Sequence, residues 1–267
     1  MTIAPDPGRA GLTRAIEGID QNGEATAISV VEERPLTIFL NSQEIVTAMT
    51  IGDYPEYLAL GFLFNQGMVQ DIGSVTRVDF DAEVEAVVVR TQDTTNFEEK
   101  LEKKTRTSGC AVGTVFGDMM EGLAELTLPD TEVRESWLFA LAKQINTTPS
   151  LYLEAGAIHG TVLCHHDQPL VFMEDVGRHN AVDKVAGWML SERVNPADKI
   201  LYTTGRLTSE MVIKTAKMGI PILASRSGFT AWGVEIARDV GLTLIGRMRG
   251  ERYVCLSGDE RLIRDAS

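Results

Sequence analysis

The chain has 267 residues, of which 44% are hydrophobic and 24% charged, and a net charge of −13. That is the make-up of a globular protein with one large core or two modest ones, and the acidic excess argues against coating nucleic acid or an anionic membrane surface. No apolar run reaches membrane-spanning length, residues 1–14 lack a signal-peptide core, and Cys110, Cys164 and Cys255 are spaced neither as a disulfide framework nor as a zinc site, so a cytoplasmic protein with at most one functional thiol is expected.

Residues 1–24 are rich in Gly, Pro and Asp without periodicity and are expected to be a mobile tail. From Ala25 the pattern is β: Leu36–Leu40 and Ile45–Thr50 flank a short polar turn, the mark of a hairpin. Asp53-x-x-Glu56 resembles a capping box, with Pro55 in the first turn of a buried helix that stops by Gly67. Strands near Val75–Phe80 and Val84–Arg90 complete an α+β part, taken as residues 25–125. Within it, Thr91–Arg106 is polar and leads into Gly109-Cys110-Ala111-Val112-Gly113. Lys103, Lys104 and Arg106 lie just before the thiol, and nearby cations favour the reactive thiolate, whereas a buried Cys behaves as a small hydrophobe.

The second part, residues 126–267, alternates helices and strands, which predicts an α/β layer with parallel pairing. A stripe of Val133, Trp137, Leu138 and Leu141 predicts a helix over 131–144. Strands follow at 156–164 and 169–176, joined by a turn at His165–Gln168. Then come a helix opening at Asn180, a strand at 200–204, a helix at 207–218, a strand at 222–224 and a helix at 230–240, before closing strands at 242–247 and 253–257.

The stretch Glu174-Asp175-Val176-Gly177-Arg178-His179-Asn180 is a polar turn between a buried strand and a helix, with Asp183 and Lys184 in the first turns after it. A helix N-terminus beside a cation suits a phosphate; the plainer alternative is a capped turn whose charges pair with one another. Ligands of such sheets sit at the carboxyl ends of the strands. Three strand ends, at 174–180, 203–206 and 225–228, therefore point to one pocket with Arg178, Gly205, Arg206, Ser225 and Arg226 around an anionic, phosphorylated ligand.

The string Asp175-Val176-Gly177-Arg178-His179-Asn180-x-x-Asp183-Lys184 resembles the FdhD/NarQ family of formate dehydrogenase accessory proteins. Thr204-Gly205-Arg206, Glu210-Met211-Val212-x-Lys214, Gly219–Ala224, Gly241–Gly246 and Leu58–Leu63 support it, over about 33–258. The resemblance implies a three-layer αβα second domain resembling cytidine deaminase, without deaminase chemistry: His159-Gly160-Thr161 lacks the Glu of H-x-E and there is no P-C-x-x-C, so no metal is expected. It further implies sulfur accepted from a cysteine desulfurase and passed to the bis-molybdopterin guanine dinucleotide cofactor of a formate dehydrogenase catalytic subunit. The cofactor's guanine nucleotide would sit in the second domain, among Asp175, Gly177, Arg178, His179, Asn180, Asp183 and Lys184, with Asp175 or Asp183 suited to the base. A homodimer and a cytoplasmic location are also implied.

One departure matters. The family's C-x-x-C is here Cys110-Ala111-Val112-Gly113, so the second thiol is absent, as in accessory proteins of the FdsC type. Two readings stay open: a one-thiol sulfurtransferase with Cys110 as catalytic carrier, and a cofactor-binding chaperone in which Cys110 is dispensable. A hydrolase triad of Cys110, His179 and Asp175 is a weaker third.

Overall fold

The computed structural model describes residues 1–92 and 122–266. The reading of the polar run and of the Cys110 loop, between 93 and 121, lies outside the described residues.

The first 24 residues are not a tail. β1 (Thr13–Ile19) pairs antiparallel with β2 (Ala25–Val31). Ile3 lies beside Val171, the Thr2 N–H donates to the Leu170 carbonyl, and the Ile3 carbonyl accepts from Phe172 N–H. The segment thus adds backbone hydrogen bonds to an otherwise open sheet edge, which a composition rich in Gly, Pro and Asp does not reveal.

β3 (Arg34–Leu40) and β4 (Gln43–Thr50) form the expected hairpin. With β5 (Val75–Asp81) and β6 (Ala86–Thr91) they make a four-stranded sheet in the order β4-β3-β6-β5. Leu36, Ile38, Leu40, Val87 and Val89 alternate onto one face and pack on Leu58, Leu60 and Leu63 of α1 (Pro55–Asn65). The capping box does not form: Tyr54, in left-handed conformation, precedes the helix without a side-chain cap, and Asp53 points elsewhere.

The second part opens with β7 (Val133–Arg134), which pairs with β14 (Leu262–Ile263), then α2 (Glu135–Thr147) and α3 (Leu151–Ala155). β8 (His159–His165) and β9 (Gln168–Asp175) form the hairpin read from sequence, and α4 (Arg178–Ser191) follows. β10 (Lys199–Thr203), α5 (Ser209–Lys217), β11 (Ile222–Ser225), α6 (Ala231–Asp239), β12 (Thr243–Arg249) and β13 (Arg252–Ser257) complete it. The sheet order is β13-β12-β11-β10-β8-β9, with β10, β11 and β12 mutually parallel. Leu163, Val171, Leu201, Leu223 and Leu244 face α4, α5 and α6, while Val162, Phe172, Ile200, Ile222 and Ile245 face α2. Burial on both faces is why these strands read as continuous apolar runs. Among the described residues no helix is long and apolar enough to cross a membrane.

The two sheets meet through α1 and α4. At their crossing, a Cβ on Gly61 would collide with the Asp183 carbonyl, and one on Gly187 with the Tyr57 carbonyl. Only glycine lets the two backbones approach so closely.

Candidate functional site

β8 runs antiparallel to both its neighbours, so β9 and β10 end at one edge of the sheet, beside β11. The three polar strand ends expected to share a site do lie along that edge. What their side chains do there differs from residue to residue.

Asp175, Asp183 and Lys184 are 0%, 1% and 0% exposed. The Lys184 ammonium is 2.5 Å from Asp53 Oδ1, 2.6 Å from Asp175 Oδ2 and 2.9 Å from the Glu174 carbonyl oxygen, to which it donates. Burial works against its charge, but the Asp175 and Asp53 carboxylates outweigh burial and hold its proton affinity above the usual lysine range. Asp175 also accepts from Thr50 Oγ1 at 2.5 Å and from Asn180 Nδ2 at 3.0 Å. Asp183 accepts from Asn65 Nδ2 at 2.7 Å and pairs with Lys214 at 2.6 Å. Thr50, Asp53 and Asn65 belong to the first part of the chain and the others to the second, so these contacts fasten the two together. The charged atoms expected to face a ligand are on protein partners instead.

The helix begins at Arg178, with Gly177 as its N-cap, and Asn180 does not cap it. Its amide donates to the Met49 carbonyl at 2.7 Å as well as to Asp175. His179 Nε2 lies 3.1 Å from Glu210 Oε2. Burial lowers its proton affinity, against the pull of Glu210. Since His179 pairs with Glu210 and Asp175 with Lys184 and Thr50, the His–Asp contact of the hydrolase triad is not made. Glu174 accepts the Leu151 and Tyr152 N–H groups at the start of α3, each at 3.0 Å, and burial raises its proton affinity.

Two of the three arginines come together. A Cβ on Gly205 would stand 3.0 Å from Arg178 Cβ and Cδ, so the Arg178 side chain lies across that glycine. Arg206 is the next residue after that glycine; His159 has its proton affinity lowered chiefly by burial and then by the charges of Arg178 and Arg206. Thr204 Oγ1 accepts from Gly160 N–H at 3.0 Å, and Ser225 Oγ donates to the Gly205 carbonyl at 2.7 Å, fixing the 203–206 loop. Ser225 is buried and holds that loop. Arg226 goes elsewhere: its guanidinium lies 5.1 Å over the Tyr152 ring and donates to Asn146 at 3.3 Å. Sequence reading named His159 only in excluding a deaminase zinc site; the signal for its place here is its position opposite Asp175 in the hairpin register.

Cys110 lies outside the described residues. The other two thiols are poor nucleophiles: burial pushes the fully buried Cys164 far up and raises the half-buried Cys255.

The fold and site define a mixed α/β protein whose two larger sheets are fastened by buried ion pairs, with Arg178 and Arg206 at a strand-end edge. The FdhD/NarQ family model matches residues 31–263. A "Sulfur carrier protein FdhD" of Listeria monocytogenes is 30% identical, covering 88% of this chain and 91% of the relative. The protein of the same name from Bacillus subtilis is 28% identical over 91% and 94%. A crystal structure from Desulfotalea psychrophila, of a protein described as a candidate formate dehydrogenase accessory protein, superposes with a TM-score of 0.76 at 28% identity, covering 94% and 98%. The chain belongs to the FdhD/NarQ family.

Proposed function

We propose that this chain is a formate dehydrogenase accessory protein that carries sulfur on Cys110 and holds the bis-molybdopterin guanine dinucleotide cofactor of its client enzyme. The family match, with relatives named as sulfur carriers, carries this reading. Chemistry supports Cys110 by contrast, because burial disfavours the thiolate at Cys164 and Cys255. In the loading step the Cys110 thiolate attacks the outer sulfur of a cysteine desulfurase persulfide. A new S–S bond forms on Cys110 while the donor's S–S bond breaks and its thiolate leaves, with no oxidant consumed. Release of that sulfur as sulfide takes two electrons. Gly113 stands where a second thiol would supply them, so an external thiol reductant does so.

The cofactor's phosphates are assigned to Arg178, which lies across Gly205, and to the adjacent Arg206. Two guanidinium groups suit a diphosphate by charge and by their paired donors. Gly177 and His179 shape the start of α4, while Asp175, Asn180, Asp183 and Lys184 hold the turn that presents Arg178. The strand order of the large sheet, with a leading antiparallel hairpin and helices on both faces, supports the deaminase-like reading of this part. A cytoplasmic homodimer fits the accessory role. The missing second thiol favours one alternative, a chaperone that binds cofactor without carrying sulfur.

Guanosine diphosphate serves as the probe in isothermal titration. Arg178→Ala should weaken its binding by about 1.5–3 kcal/mol, the range for a hydrogen bond to a charged group. Unchanged affinity would remove Arg178 from the phosphate site.

A further inference from the structure

On the other side of the α4 N-terminus lies a cavity of about 340 Å³ that the phosphate site does not use. Val46 and Ala48 of β4, Phe62 of α1 and Val176 form its apolar wall; Glu210 and Asp183 in its lining are paired with His179 and Lys214, and Glu33 brings an exposed negative charge to it. One wall is the outer edge of a sheet: among the described residues β4 pairs with β3 only and ends the four-stranded order.

The direction of the β4 peptide groups follows from its partner. Thr37 N–H donates to the Glu85 carbonyl, towards β6, so the Thr37–Thr47 pair is the kind that exchanges no backbone bonds. Pro35, with no N–H to give, faces Met49 in the next pair of that kind. The N–H and C=O groups of Thr47 and Met49 therefore point away from β3. The Asn180 amide already uses the Met49 carbonyl, which confirms the direction. Among the described residues no backbone pairs with Thr47 on this side. An open row of backbone groups, with alternate apolar side chains beside it and a helix opposite, is the geometry in which an extended peptide adds as a further strand.

We infer that the groove between β4 and the start of α4 takes an extended segment of a partner polypeptide as an added strand, one that alternates apolar and basic residues. The apolar residues would meet Val46, Ala48 and Phe62. The basic ones would meet Glu33 and the acidic field of a chain with net charge −13. The groove shares Gly177, His179, Asn180 and Asp183 with the turn that presents Arg178, while Arg178, Gly205 and Arg206 themselves do not line it.

The probe is a fluorescein-labelled decapeptide of alternating lysine and valine, with an alternating glutamate–valine peptide as contrast. It is titrated into the full chain by fluorescence anisotropy, and residue-resolved hydrogen exchange is followed. The lysine–valine peptide should slow exchange at the Thr47 and Met49 amides and bind about tenfold tighter than the glutamate peptide. Thr47→Pro, which removes an outward donor at an edge position, should weaken it about tenfold. Glu33→Lys, at an exposed site, should weaken it with the melting temperature unchanged, so the proposal stays testable if the proline variant does not fold. Binding that leaves both amides unprotected overturns the proposal, as does absence of binding. Amides already protected in the free protein also overturn it: protection independent of concentration would mean the chain fills its own groove, and protection that grows with concentration would mean a second copy does.

Discussion

Replacing Lys184 with Met tests the buried ion pairs directly. The ammonium is fully buried and touches two carboxylates, Asp53 at 2.5 Å and Asp175 at 2.6 Å, and donates to the Glu174 carbonyl. A methionine of similar length fills the space but leaves two buried carboxylates without their cation. Breaking a buried pair from one side costs about 3–5 kcal/mol, a large part of a typical stability of about 5–15 kcal/mol. The midpoint of urea unfolding should therefore fall steeply, with little change in slope. Adding Asp53→Leu should recover part of the loss, because it removes one of the stranded charges. A single-variant loss below about 1 kcal/mol, the range of exposed pairs, would refute the claim that this network fastens the two parts of the chain.

Three further outcomes follow from the same geometry. Gly187→Ala should destabilise by about 1–3 kcal/mol or more, because its Cβ meets the Tyr57 carbonyl of α1; an unchanged melting temperature would mean the helices part at no cost. His159 binds its proton less readily folded than unfolded, so its contribution to stability is present above the ordinary histidine range and is lost as pH falls through its lowered folded value. Between about pH 7.5 and about pH 5.5 the wild type should therefore lose more stability than His159→Gln, and equal losses would contradict the lowering of His159 by burial and, after it, by Arg178 and Arg206. Arg206→Ala should weaken guanosine diphosphate binding and flatten its dependence on salt, and an unaltered salt dependence would take Arg206 out of the site.

Much of the second part was legible because its strands are buried on both faces and its helices carry apolar stripes. The hairpin ending at Asp175, the helix after Arg178 and the gathering of polar strand ends at one edge all follow from those local patterns. The partners of the charges did not. Asp53 looked like a helix cap because Glu56 stands three residues on, yet it serves Lys184, which is 131 positions away. Asn180 looked like the opening of the helix and instead lies within its first turn, spanning Asp175 and the Met49 carbonyl. Arg226 shares the sheet edge with Arg206 but is drawn off by Tyr152 and Asn146. Local periodicity reports which face is buried; the pairing of buried charges depends on which distant segment arrives opposite. Residues 1–24 show the same limit, since their edge pairing rests on backbone groups that any composition supplies.

The central claim, that Cys110 carries sulfur, is tested most directly by intact-protein mass spectrometry after incubation with a cysteine desulfurase and cysteine, beside a Cys110→Ser variant. The account predicts one added sulfur on the wild type, removed by a thiol reductant, and none on the variant. Equal sulfur on both would place the persulfide on another thiol. No sulfur on the wild type, where a two-cysteine family member is loaded, would contradict the carrier role and leave a protein that only holds the cofactor.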